Sequence, residues 1–101
     1  MILDLSGDFD LYSAPAVREL IRNHITEGRK KLILNMEEVP YLDSSGVGTI
    51  IQSLQAAVSG KGQMVLTSLQ RAPFRVLEMA NITSIIKNFQ SEKDALAFLD
   101  K

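Results

Sequence analysis

Short apolar runs and longer segments with helical spacing alternate along the chain. Apolar and polar residues alternate from Met1 to Ser6, which predicts a strand that ends at Gly7. The run Leu32-Ile33-Leu34 is continuously apolar, as expected of a central strand that is covered on both faces. Met64-Val65-Leu66 predicts a third strand, and we interpret Ile85-Ile86 as a short edge strand.

Helices are predicted between these strands and after the last one. The first is expected to start at Ser13 as its N-cap and to stop at Gly28. A second follows Asp43-Ser44-Ser45, a third covers 73–80, and a last one begins at Ser91 in a pattern similar to a capping box. Because parallel strands need crossover connections, this alternation predicts a single α/β domain over residues 1–101 with a mostly parallel four-stranded sheet and helices packed on it.

Composition and charge narrow the functional classes. The chain has 101 residues, no cysteine, one histidine and a formal net charge of −1. A nucleic-acid binder is usually distinctly basic, so we expect no nucleic-acid partner. Thiolate and multi-histidine metal sites are excluded, and we expect no metal and no cofactor. No apolar stretch approaches the ~20 residues that span a bilayer, and no signal peptide is visible, so we expect a cytoplasmic protein with no membrane insertion.

The segment from Asp43 to Gly48 holds the candidate chemistry. Ser44 and Ser45 fall at a helix N-terminus behind a buried strand, which is where α/β proteins place functional sites. A serine there can be a cap, a nucleophile or a phosphorylation target, and the plain interpretation is that Asp43 or Ser44 is only an N-cap. Gly46 and Gly48 lie in the first turns, where alanine would be more stable by about 1 kcal/mol each, and glycine there lets another molecule approach the backbone.

Other chemistry is disfavoured by the residues present. A serine hydrolase needs a base beside the serine, and the single histidine, His24, lies late in the first predicted helix. The segment matches neither the G-x-S-x-G nucleophile elbow nor a phosphate-binding loop, since no lysine follows the glycines. Asp8, Asp10 and Asp43 could converge on a Mg²⁺ ion, but we favour turn-forming roles for the first two.

The ordered motifs resemble one family. Asp43-Ser44-Ser45-Gly46-Val47-Gly48 is similar to the D-S-[ST/A]-G-[LV]-G signature of STAS-domain anti-sigma factor antagonists. The similarity extends along nearly the whole chain, through Gly7-Asp8-Phe9-Asp10, Leu32-Ile33-Leu34-Asn35, Gly62-Gln63-Met64-Val65-Leu66, and Arg75-Val76-Leu77-Glu78-Met79 followed by Ile82.

The resemblance implies a regulatory binding protein and not an enzyme. In that family the unphosphorylated protein binds an anti-sigma factor that is also a serine kinase, which frees the sigma factor. The kinase phosphorylates the first serine of the signature, here Ser44 with Ser45 as second choice, and a PP2C-type phosphatase restores the active form. The resemblance, together with the loop placement, suggests partner contacts at Asp10, Asp43, Ser44, Ser45, Gly46 and Gly48.

The resemblance also leaves alternatives open. Family members carry an additional strand before the one that ends at Gly7, and this N-terminal strand is expected to be missing here, because only six residues precede Gly7. A STAS binding module in another soluble signalling or lipid-transport complex is the second hypothesis. A small serine hydrolase that uses Ser44 is the third, and it requires His24 or Asp10 within hydrogen-bond reach of the hydroxyl.

Overall fold

Four strands and four helices follow one another in the order that the hydrophobic pattern predicts. The computed structural model describes residues 1–100. The strands are β1 (Ile2–Ser6), β2 (Lys31–Glu38), β3 (Gln63–Thr67) and β4 (Asn88–Phe89). The helices are α1 (Ala14–Thr26), α2 (Ser44–Ser59), α3 (Arg71–Met79) and α4 (Glu92–Leu99), with a 3₁₀ turn at Ile82–Ser84.

The four strands form one parallel sheet in the order β1-β2-β3-β4. This confirms the predicted α/β class and four-stranded sheet. Because successive parallel strands are neighbours and crossovers are right-handed, the connecting helices lie on one face. The larger hydrophobic core joins that face of the sheet to α1, α2 and α3. A smaller core, formed by Ile33, Val65, Ala95 and Leu99, attaches α4 to the other face.

Strand β2 lies inside this sheet, between β1 and β3. Its residues Leu32, Ile33 and Leu34 are each 0% exposed, so both faces of the strand are covered. The continuous apolar run therefore has the physical cause that the sequence suggests, since alternate side chains enter the two cores. All parallel strands point the same way, so β2 delivers the segment before α2 to the carboxyl edge of the sheet.

The prediction of an edge strand at Ile85-Ile86 is wrong. The backbone N–H groups of both residues donate to the carbonyl of Ile82, each over 3.0 Å, so the pair belongs to the turn after α3. Ile86 is buried in the larger core, whereas Ile85 is 56% exposed. The edge strand comes two residues later, at Asn88–Phe89, where it pairs with Leu66 and Thr67.

Candidate functional site

Two loops run side by side at the carboxyl edge of the sheet. The Phe9 N–H donates to the Tyr41 carbonyl over 2.9 Å, and the Asp43 N–H donates to the Phe9 carbonyl over 3.2 Å. These bonds extend the parallel pairing of β1 and β2 beyond the strands and form an isolated bridge between Phe9 and Leu42. The loop that enters α1, which contains Asp10, is thereby held against the loop that enters α2.

Asp43 caps α2 and also links the two loops. Its Oδ1 accepts hydrogen bonds from the N–H groups of Ser45 and Gly46, over 2.8 and 3.0 Å. Its Oδ2 accepts a bond from the Leu11 N–H over 3.3 Å. The first two bonds satisfy backbone donors that a helix leaves unpaired at its start. Both carboxylate oxygens are thus committed to holding the local backbone.

Ser44 is the first residue of α2 and is exposed. The cap is made by Asp43, so the serine hydroxyl is not required for starting the helix. Ser45 is half-buried, and its N–H is bound to Asp43. Of the two hydroxyls, that of Ser44 is the more accessible to another protein.

Gly46 and Gly48 have different structural roles. A Cβ at position 46 would collide with Cδ1 of Leu42 and would lie 2.6 Å from the carbonyl oxygen of Phe9. Gly46 is therefore required by packing between the two loops. A Cβ at position 48 would meet nothing within 4 Å, so the fold itself gives no reason for glycine there.

Asp10 shapes the start of α1. Its Oδ1 accepts hydrogen bonds from the N–H groups of Tyr12 and Ser13, over 3.0 and 3.1 Å. The prediction that Ser13 caps α1 through its side chain is wrong, because the Ser13 hydroxyl instead donates to the Asp8 carbonyl over 2.8 Å and accepts from the Asp10 N–H. Asp10 instead has the turn-forming role predicted for it, since its carboxylate binds two N–H groups of the turn that leads into α1.

The structure separates His24 from the serines. Helix α1 runs back from the carboxyl edge of the sheet, so His24 in its last turn lies toward the amino edge, whereas Ser44 lies at the carboxyl edge. Nδ1 of His24 accepts a hydrogen bond from Nε of Arg29 over 3.3 Å. This placement gives no support to a hydrolase in which His24 activates Ser44.

Within residues 1–100, no cluster of three or more potential His, Cys, Asp or Glu ligands is arranged to hold a metal ion.

Three large apolar side chains are exposed in the loops beside Ser44. Leu11 is 65% exposed, Tyr12 is 89% exposed and Tyr41 is 52% exposed. We call Leu11, Tyr12, Tyr41, Ser44 and Gly48 the Ser44 surface. Apolar and aromatic side chains that stay in water at a loop junction are typical of a protein-binding surface. Sequence reasoning missed these three residues, because a single apolar residue in a loop has no periodic signal.

The fold and the site place the chain in a class of small parallel α/β domains with an exposed serine at a helix start. Within this class, the family model of the STAS domain matches residues 1–95, and the chain belongs to that family. Among residues 1–100, no helix combines the length and the hydropathy that crossing a bilayer requires.

Individual relatives are similar over most of the chain. The anti-sigma-B factor antagonist of Listeria monocytogenes is 29% identical over 90 residues, which are 87% of this chain and 79% of that protein. A Thermotoga maritima protein, described as a proposed anti-sigma factor antagonist, is 23% identical with a TM-score of 0.94 over 99% of this chain and 86% of that one. The Bacillus cell fate determinant SpoIIAA in its phosphorylated form is 22% identical with a TM-score of 0.72 over 95% of this chain and 86% of that one. At these identities the two structures establish a common fold.

Proposed function

We propose that this chain is an anti-sigma factor antagonist, a binding module without catalytic activity. It would bind an anti-sigma factor and thereby release the sigma factor that the latter holds. The observation that carries the proposal is the exposed Ser44 at the start of α2, next to two hydrogen-bonded loops that also expose Leu11, Tyr12 and Tyr41. The family match over residues 1–95 and the name of the Listeria relative support the same role.

The proposed switch is phosphorylation of Ser44 by an anti-sigma factor that is also a serine kinase. A phosphate adds about −1.5 to −2 charge. Asp43 already uses its carboxylate to occupy the N–H groups of Ser45 and Gly46, so the phosphate would lie beside a like charge on the rim of the helix end. The helix dipole still favours negative charge there, which offsets part of that repulsion and leaves the fold intact.

Phosphorylation would act on binding because of where the charge is added. The apolar side chains of Leu11, Tyr12 and Tyr41 must lose water when a partner covers them, and a phosphate next to them would have to be buried or left strongly hydrated. Either arrangement weakens the complex. A PP2C-type phosphatase would restore the binding form by removing the group.

The remaining partner-site residues divide into supporting and contacting positions. Asp10, Asp43 and Gly46 would act indirectly, since their contacts are to the backbone of the two loops. Gly48 would contact the partner, because nothing in the chain itself occupies the space above it. Ser45 is the second choice for phosphorylation, and its half-buried position makes it the weaker acceptor.

The experiment that tests the proposal uses the anti-sigma factor kinase encoded in the same genome. The purified chain is incubated with this kinase and ATP, and phosphopeptides are mapped in the wild type, Ser44→Ala and Ser45→Ala. We expect phosphate transfer that Ser44→Ala abolishes and Ser45→Ala retains, and loss of binding after phosphorylation in calorimetry. Tight binding that survives full phosphorylation of Ser44 would overturn the switch. Absence of binding by the unphosphorylated protein to every such kinase would overturn the antagonist role itself.

A further inference from the structure

A cleft lies between α1 and α2, away from Ser44 itself. On the α1 side it is lined by Arg18 and Arg22, one helical turn apart, and by Ile21 and Ile25, also one turn apart. Residues at this spacing project from one helix face, so two guanidinium groups border an apolar floor. The cleft has a volume of about 140 Å³, which is below the roughly 300–1,000 Å³ typical of sites for drug-sized molecules, so it suits only a small ligand.

The α2 side of the cleft carries polar but uncharged groups. It consists of Gln52, Ser53 and Ala56. No acidic side chain is among the residues that line the cleft, and Arg22 has only an exposed contact of 3.6 Å with Glu19 on its own helix. The lining therefore has a net positive charge, together with an amide and a hydroxyl that could orient a ligand.

Arg18 has unsatisfied hydrogen-bonding capacity. Its Nε is buried and has no hydrogen-bond partner among residues 1–100. Its side chain is otherwise held by a contact of 3.4 Å from Nη2 to Oγ1 of Thr49, which is long for a hydrogen bond. A buried N–H of a charged group without an acceptor is costly. This Nε is too buried to meet a ligand directly, so an anion in the cleft would act on the guanidinium through its other nitrogens.

We propose that the cleft binds a small organic carboxylate with an apolar body. The carboxylate would accept hydrogen bonds from the guanidinium groups of Arg18 and Arg22, and the apolar body would lie on Ile21, Ile25 and Ala56. Gln52 and Ser53 would complete the polar rim. Gln52 follows Ser44 by eight residues, which is about 12 Å along the helix axis, and Gly48 by four, which is about 6 Å. The cleft therefore borders the Ser44 surface at Gly48 but does not include Ser44, and its binding does not depend on the proposed switch.

The test uses three matched probes added to the ¹⁵N-labelled full chain. Hexanoate has both the carboxylate and the apolar body, hexanamide lacks the charge, and acetate lacks the apolar body. We follow backbone amides of α1 and α2 and the Nε–H signal of Arg18 by NMR. For a ligand of this size we expect saturable shifts with hexanoate at a Kd of about 1–10 mM and no saturation with the other two probes in that range.

Variants connect the binding to the cleft. Arg18→Gln removes one guanidinium, and we expect hexanoate affinity to fall by about tenfold or more. Ala56→Leu fills the cleft from an exposed position and keeps both arginines, so it should abolish the shifts in a folded protein. Arg71→Gln, which removes the same charge from an exposed position on α3, is the matched control and should leave the affinity unchanged.

Each alternative result contradicts the proposal. Equal shifts with hexanamide would mean that the cleft recognises only apolar surface, and equal shifts with acetate would mean a simple anion site. Hexanoate binding that persists in Ala56→Leu would place the ligand elsewhere. An absence of saturable shifts with hexanoate in the wild type would refute the site, and it would leave the proposed role of Ser44 untouched.

Discussion

Substituting alanine for each of the two glycines near the start of α2 should change stability in opposite directions. In Gly46→Ala the new methyl group would lie 2.6 Å from the Phe9 carbonyl oxygen, which also accepts the Asp43 N–H bond. Forcing this contact costs ~1–3 kcal/mol of overpacking, and alanine recovers at most about 1 kcal/mol through helix propensity. We expect Gly46→Ala to lower the free energy of unfolding by up to about 2 kcal/mol.

Gly48→Ala makes the same chemical change two residues further along. Its methyl group meets nothing within 4 Å, so only the propensity gain of about 0.5–1 kcal/mol remains, and this variant should be more stable than the wild type. For a domain of about 100 residues each kcal/mol shifts the Tm by about 4–8 °C.

Urea unfolding followed by circular dichroism gives both free energies, and thermal scans give the order of Tm values. The expected order is Gly48→Ala above the wild type and the wild type above Gly46→Ala. If Gly46→Ala proved as stable as Gly48→Ala, the packing argument for the two loops would be wrong. If Gly48→Ala were stabilised and still bound the anti-sigma factor at full affinity, position 48 would have no part in the proposed interface.

Three further predictions concern the cap, the serine and the core. Asp43→Ala removes the acceptor for the N–H groups of Ser45, Gly46 and Leu11, so we expect the free energy of unfolding measured in urea to fall by ~1–2 kcal/mol. Asp43→Asn should lose less stability, because its amide oxygen can still cap the helix. Equal losses in the two variants would contradict the capping role. Ser44→Asp should have a free energy of unfolding within about 0.5 kcal/mol of the wild-type value, because the position is exposed. The same substitution should weaken anti-sigma factor binding at least tenfold in calorimetry. Unchanged affinity would count against the switch. Leu34→Ala in central β2 should lower the free energy of unfolding by ~2–5 kcal/mol, because the side chain is 0% exposed and its removal leaves a cavity. A smaller loss in urea unfolding would show that the core collapses into this cavity.

The sequence predicted the elements whose apolar pattern is long enough to define a period. The continuous apolar run of β2 identified a covered central strand, and the spacing after Ser45 identified α2. By contrast, β4 has only two residues, Asn88 and Phe89, and its pairing depends on where the turn after α3 delivers the chain. Ile85-Ile86, which ends two residues before β4, is more apolar and therefore indicates a strand in the sequence. Its apolar character has another cause, because Ile86 packs into the larger core from a turn.

The candidate site was predictable in its motif but not in its supporting contacts. The position of Ser44 at a helix start follows from the order of strand and helix. The packing of Gly46 against Phe9 and the bond from Leu11 to Asp43 join residues more than 30 positions apart, and no local pattern encodes them. The missing side-chain cap at Ser13 is a similar case, because capping preferences rank residue types and do not show which groups a given hydroxyl reaches.

The cap at Asp43 has a consequence for how such domains can diverge. Because the carboxylate of Asp43 starts α2 without help from the neighbouring hydroxyl, selection can change position 44 without disturbing the architecture. Under the proposed switch, a lineage could lose its kinase, replace Ser44 with another small residue and keep a constitutive binder, or regain the serine in a single step. The proposed regulatory residue and the scaffold that presents it could thus change independently, and one codon would decide whether phosphorylation can control the interaction.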